Sequence, residues 1–147
     1  MGWVEDLHGQ VVGLDTAPLI FYIEEHSVYG PVLDPFFEAV GVGNVSIVTS
    51  TITLLEVLVH PLKHKDDALA AKYNDILLSS PNIQTLPVTP ATAQMVAEIR
   101  AEGKLKTPDA IHLATAINHS AKFFLTNDRD FGDVDELDVL KVRDLVL

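Results

Sequence analysis

With 147 residues, 48% of them hydrophobic, and a mean hydropathy of +0.23, the chain has enough apolar material to bury a core as one domain, which excludes disorder as its main state. It has no cysteine, which removes disulfides, thiolate metal sites and cysteine nucleophiles together and fits a reducing, cytoplasmic setting. A formal net charge of −11 works against general binding to a phosphate backbone and suits a cation or a basic protein partner better.

No uninterrupted apolar run approaches the roughly 18 residues that span a bilayer, so no membrane segment is expected. Residues Met1–Asp6 carry no basic stretch leading into an apolar one, so no secretory leader is expected either. No internal repeat or long linker interrupts the chain, and one domain is expected over residues 1–147.

In chain order, Gln10–Asp15 reads as a short strand that stops at a carboxylate, followed by a helix from Thr16 to about Glu25. Gly30 to Val40 predicts a second helix and Asn44–Thr49 a second strand. A helix over Thr51–Val59 is closed by Pro61, and Leu62–Leu78 is expected to form one longer amphipathic helix. Ile83–Val88 predicts a third strand. Thr89-Pro90 then gives an N-cap with proline at the first helical position, and the helix it opens ends at Gly103. Thr107-Pro108-Asp109 repeats that signal for a helix reaching His119. Lys122–Thr126 and Leu137–Val142 complete the strands. Short apolar strands separated by helices imply an α/β fold with a mostly parallel sheet covered on both faces. In such sheets, sites form beyond the carboxyl ends of the strands.

Four acids fall where that rule points. Asp15 ends the first strand, Glu56 lies in the helix after the second, Asp109 opens the helix before the fourth, and Asp128 follows the fourth. Carboxylates gathered without a cation repel, whereas Mg²⁺ or Mn²⁺ would relieve the repulsion, activate water and steady charge building on a phosphoryl group. Each acid also has a simpler reading. Asp15 could cap its helix, Asp109 could serve the helix dipole, and Asp128 and Asp130 could be turn residues. Glu56 is harder to dismiss, because a carboxylate among Ile52, Leu54, Leu55, Val57, Leu58 and Val59 needs a partner.

Other groupings are weaker. His60 and His64 stand one helical turn apart, but Pro61 intervenes and no third ligand is evident, so a structural or solvated role is expected. His112 shares a face with Asp109, and a helix-surface or packing role is expected for it. Trp3 is expected to pack the leading segment onto the sheet. Gly41-Val42-Gly43-Asn44 lacks the rest of a dinucleotide fingerprint, and no Ser-His-Asp order can be identified.

Thr107-Pro108-Asp109-Ala110-Ile111-His112-Leu113-Ala114-Thr115-Ala116 is followed by Phe124-Leu125-Thr126-Asn127-Asp128-Arg129-Asp130-Phe131. Together with Leu14-Asp15-Thr16 and Thr53-Leu54-Leu55-Glu56, these segments make the chain resemble the PIN-domain nucleases, and among them the VapC-like toxins of toxin–antitoxin pairs. The resemblance runs through nearly the whole chain after about residue 10 and implies a three-layer sandwich with a central sheet of four to five strands. It further implies that Asp15, Glu56, Asp109 and Asp128 hold one or two Mg²⁺ or Mn²⁺ ions, with Asp130 as an auxiliary acid and Thr16 and Thr126 orienting carboxylates or the metal-bound water. The implied activity is endoribonuclease cleavage of a structured RNA, with a cognate antitoxin as inhibitor and a homodimer as the usual assembly.

The chain departs from many relatives at His60-Pro61, where they carry a glycine four residues after the helix glutamate. Arg100, Lys104, Lys106 and Arg129 are the basic residues nearest the acids in sequence. Three other readings compete: a non-catalytic PIN-like RNA-binding or regulatory module, a stand-alone RNA-processing nuclease, and a phospho-receiver or phosphatase-like domain. The first would be favoured by a missing acid, and none is missing. The last needs a well-placed lysine, and Lys122 begins the fourth strand rather than ending it.

Overall fold

The computed structural model describes residues 2–146, so Met1 and Leu147 of the expected 1–147 span lie outside the described residues. Strand β1 (Val11–Leu14) occupies the middle of a five-stranded sheet. It is flanked by β2 (Ser46–Ser50) and then β3 (Ile83–Leu86) on one side, and by β4 (Phe123–Thr126) and then β5 (Asp138–Lys141) on the other. Every pairing in the ladder is parallel, with Val12 opposite both Ile47 and Phe123. The strand order therefore reverses direction beside β1, and a crevice opens between the carboxyl ends of β1 and β4.

Among the described residues six α-helices cover the sheet: α1 (Thr16–Ile23), α2 (Tyr29–Gly41), α3 (Thr51–Lys63), α4 (Asp67–Ser79), α5 (Pro90–Glu102) and α6 (Thr107–Asn118). Alternation along the strands assigns them to two layers. Val12, Leu14, Ile47 and Leu125 pack with Leu19, Phe36, Val57 and Tyr73 from α1–α4, whereas Val48 and Phe124 face Leu113 and Ala116 of α6. Helix α5 joins α6 through Val96, Ala110 and Ala114. The result is the expected three-layer α/β arrangement. No helix among the described residues is long and apolar enough to cross a membrane.

Three local expectations are corrected. Pro61 does not close the third helix. It is buried inside α3, which runs on to Lys63, because proline forfeits only one hydrogen bond so near a helix end. The segment Leu62–Leu78 is accordingly not one helix. The chain turns at Lys65, whose φ of +55° is left-handed, and Asp66 accepts a hydrogen bond from Leu69 N to start α4. Trp3, expected on the sheet, instead stacks on Phe36 of α2 with ring centroids 5.6 Å apart.

Gly13 sets how closely α6 approaches the sheet. A Cβ at this position would sit 2.4 Å from Ala116 Cβ and 2.8 Å from Phe124 Cδ1, so the helix lies against bare backbone. Gly13→Ala should therefore destabilise the protein by about 1–3 kcal/mol, the usual cost of overpacking, read as a lowered urea midpoint with unchanged slope. An unshifted midpoint would mean that the helix can withdraw freely.

Candidate metal and phosphoryl-transfer site

The sheet delivers Asp15 to the crevice. β1 continues its ladder one step past Leu14, with Asp15 N donating to Leu125 O at 3.0 Å, and then stops because Asp15 becomes the N-cap of α1. Its Oδ1 accepts from Thr16 N at 2.8 Å and its Oδ2 from the Thr126 hydroxyl at 2.7 Å, so this carboxylate is held rigidly and is only 5% exposed. The capping role considered from sequence and the place at the strand-end crevice thus coexist. Burial pushes the Asp15 carboxyl up, opposed by His112 and by the hydrogen bonds from Thr126 and Thr16.

Glu56 arrives from the second turn of α3, after Ser50 has capped that helix by accepting from Ile52 N. The partners that its apolar neighbourhood demanded are Thr16, whose hydroxyl donates to Oε1 at 2.7 Å, and His112, whose Nε2 lies 3.0 Å from the same oxygen. These contacts, the histidine first, hold the Glu56 carboxyl below its usual range despite partial burial.

Asp109 stands in the first turn of α6, which Gly13 allows to lie close over the strand ends. Burial, and then the nearby charges of Asp15 and Asp128, push its carboxyl up to about 6. Asp128 follows β4. Its backbone N–H donates to Thr126 Oγ1 at 3.1 Å, and its Oδ1 accepts from Asp130 N at 2.8 Å. Asp15, Glu56, Asp109 and Asp128, with Thr16 and Asn127, line one cleft of about 330 Å³. Asp130 is exposed and outside that lining.

Arg100, Lys104, Lys106 and Arg129 are all exposed, and none lines the cleft. His60 and His64 lie with ring centroids 4.3 Å apart on exposed positions, and neither lines the cleft. One residue near the cleft was not anticipated. Arg143, just past β5, donates its backbone N–H and Nε to Asn127 Oδ1 at 2.9 and 3.2 Å and its guanidinium also to Asn127 O, which pins the loop carrying Asp128. For His112, where a helix-surface or packing role was expected, the packed alternative holds: it is 2% exposed and touches both Glu56 and Thr16.

The donors facing the cleft are carboxylate and hydroxyl oxygens, the preference of a hard divalent cation. The Asp109 carboxyl is raised first by burial and then by the charges of Asp15 and Asp128, and a bound cation would offset that repulsion. Among the described residues no three His, Asp or Glu side chains are drawn close enough to hold an ion directly.

A parallel sheet of this order, with acids at the ends of β1 and β4, defines an α/β protein with a strand-end acidic crevice. Residues 13–137 match the PIN domain model, and the chain belongs to the PIN domain family. The toxin–antitoxin complex from Klebsiella pneumoniae shares this fold at a TM-score of 0.67 and 25% identity, covering 90% of this chain and 97% of that one. The VapBC2 complex of Rickettsia felis, bound to a DNA fragment from its promoter, aligns at a TM-score of 0.66 and 21% identity over 89% and 98% of the two chains. Mycobacterium tuberculosis VapC20, a toxin that cleaves the sarcin–ricin loop, aligns at 0.63 and 16% identity over 86% and 92%. No curated protein sequence matches the chain.

Proposed function

We propose that this protein is a Mg²⁺- or Mn²⁺-dependent endoribonuclease and the toxin of a toxin–antitoxin pair, acting in the cytoplasm as a homodimer on a structured RNA. The observation that carries this reading is the convergence of Asp15, Glu56, Asp109 and Asp128, from four separate elements, on a cleft with no cationic side chain in its lining. Such a lining repels phosphate unless a cation is bound. When bound, the cation supplies an activated water and offsets the charge that builds on the phosphoryl oxygens.

The chain's own residues do the rest. Asp15, fixed at both oxygens, and Asp109 would hold the cation, with Glu56 and Asp128 completing the acidic lining and Asp130 assisting from the loop. Thr126 keeps Asp15 in place and Thr16 does the same for Glu56. The partner reading draws support from relatives that are toxin–antitoxin complexes. A row of Leu55, Val59 and Leu62 on α3, each 58–60% exposed at one-turn spacing, is a surface of the kind that a protein partner covers.

Purified protein should cleave total cellular RNA with Mg²⁺ or Mn²⁺ and stop on addition of EDTA. Mn²⁺ should raise its melting temperature, because a ligand bound only to the folded state stabilises it by mass action, and Asp15→Asn should shrink that rise. Cleavage that persists in EDTA would sink the mechanism. Metal binding without cleavage of any RNA would instead favour the regulatory-module reading.

A further inference from the structure

His112 lies outside the set of acids, yet it is the most connected side chain beside them. Its ring is fully buried. Nε2 lies 3.0 Å from Glu56 Oε1, 3.2 Å from Thr16 Oγ1 and 3.9 Å from Asp15 Oδ1, while Nδ1 lies 3.2 Å from Ser50 Oγ and 3.3 Å from Thr53 Oγ1.

The directions of these bonds follow from counting hydroxyl protons. Thr49 gives its only hydroxyl proton to Leu14 O at 3.0 Å, so in the 2.9 Å contact between Thr49 and Thr53 it is Thr53 that donates. Thr53 then has no proton left for His112. Thr16 spends its proton on Glu56 Oε1. A bare Nε2 would therefore face only lone pairs, from a carboxylate and from a hydroxyl already committed elsewhere. Nε2 must carry a proton and give it to Glu56. Ser50 accepts from Ile52 N and keeps its own proton free, so its hydroxyl can pair with Nδ1 and hold the ring from behind while Nε2 donates forward.

We infer that His112 is a positioning residue: held by Ser50 from behind, it donates from Nε2 to Glu56 Oε1 and, with Thr16 on the same oxygen, fixes the orientation of the Glu56 carboxylate toward the cation site. This rests on the metal-dependent reading above. The group acts through Glu56 and needs no contact with substrate. Hydrogen-bond donors to a metal-binding carboxylate typically matter by about 10–100-fold in metal affinity.

The test uses side chains that mimic one ring nitrogen each. In His112→Gln the amide nitrogen reaches the Nε2 position and can still donate to Glu56. In His112→Asn the amide stops near Nδ1, and in His112→Leu no donor remains. Mn²⁺ binding by the full-length protein is read directly from the electron paramagnetic resonance signal of free Mn²⁺, with thermal melts of metal-free protein as the folding control. Gln should bind close to wild type, while Asn and Leu should bind about 10–100-fold more weakly although folded. If Leu fails to fold, the Gln and Asn pair carries the comparison. Equal affinity in all folded variants, or a loss that Gln shares with Asn, overturns the inference and leaves the metal-dependent reading standing. A wild type that binds no Mn²⁺ removes both.

Discussion

Asp15→Ala, Asp109→Ala and Asp128→Ala should each abolish RNA cleavage, with rates lower by about a thousandfold or more. That follows if each removal forfeits several kcal/mol of metal-borne stabilisation of the phosphoryl charge, at a factor of ten per 1.4 kcal/mol. Asp15 should be the most severe, since its two oxygens also tie the end of β1 to Thr126 and to the start of α1. Asp130→Ala should weaken cleavage less. Its side chain is exposed outside the cleft lining, and only its backbone N–H touches Asp128. His64→Ala, on an exposed position outside the cleft lining, should behave as wild type and serves as the control. The measurement is the initial rate on cellular RNA at saturating Mn²⁺. Full activity in the Asp15, Asp109 and Asp128 triple variant would remove the cleft from the chemistry.

Metal-free protein should lose stability as the pH rises from about 4 to above 6, and Asp109→Asn should flatten most of that slope. The Asp109 carboxyl, pushed up to about 6 by burial and by Asp15 and Asp128, holds its proton more tightly folded than unfolded, where it titrates near 3.9. The associated stability is complete below the unfolded value and is lost as the pH climbs through the folded one. Because Asp109 is partly exposed, about 1–2 kcal/mol at pH 7 is expected rather than the full value of the shift. Asparagine keeps a donor towards Asp128 while removing the charge, so Asp109→Asn should be the more stable protein at pH 7 by that amount in urea melts. Mn²⁺ should reverse the order, because the wild type gains a ligand-bound state that the variant lacks. Should Asp109→Asn instead destabilise the metal-free protein, Asp109 would be an ion-pair partner with no role in a repelling cluster.

Much of the site was legible because it follows the grammar of a parallel sheet. Asp15 was marked by the abrupt end of an apolar strand, and Asp109 by the Thr-Pro-Asp helix start. Glu56 was marked by its isolation among aliphatic residues, an isolation that Thr16 and His112 resolve. The reading of Pro61 as a helix end failed because proline breaks a helix only when the turns beyond it need the lost hydrogen bond. Here α3 ends two residues later.

Local sequence by itself determined the five strands, their separation by helices and the placement of four acids at carboxyl ends, because period and capping act within a few residues. What it could not decide was which side chains meet across long separations. His112 had only its spacing from Asp109 to mark it, whereas the partners that bury and orient it, Ser50, Thr53 and Glu56, lie 56 to 62 residues earlier in the chain. Arg143 had no local signal at all, since its role is to grip a loop 16 residues before it across the β4–β5 edge. Those contacts exist only once Gly13 lets α6 settle on β1 and the strand order reverses beside it. Tertiary packing, through the desolvation and hydrogen bonds it imposes, turned acids at strand ends into one cleft with distinct protonation behaviour.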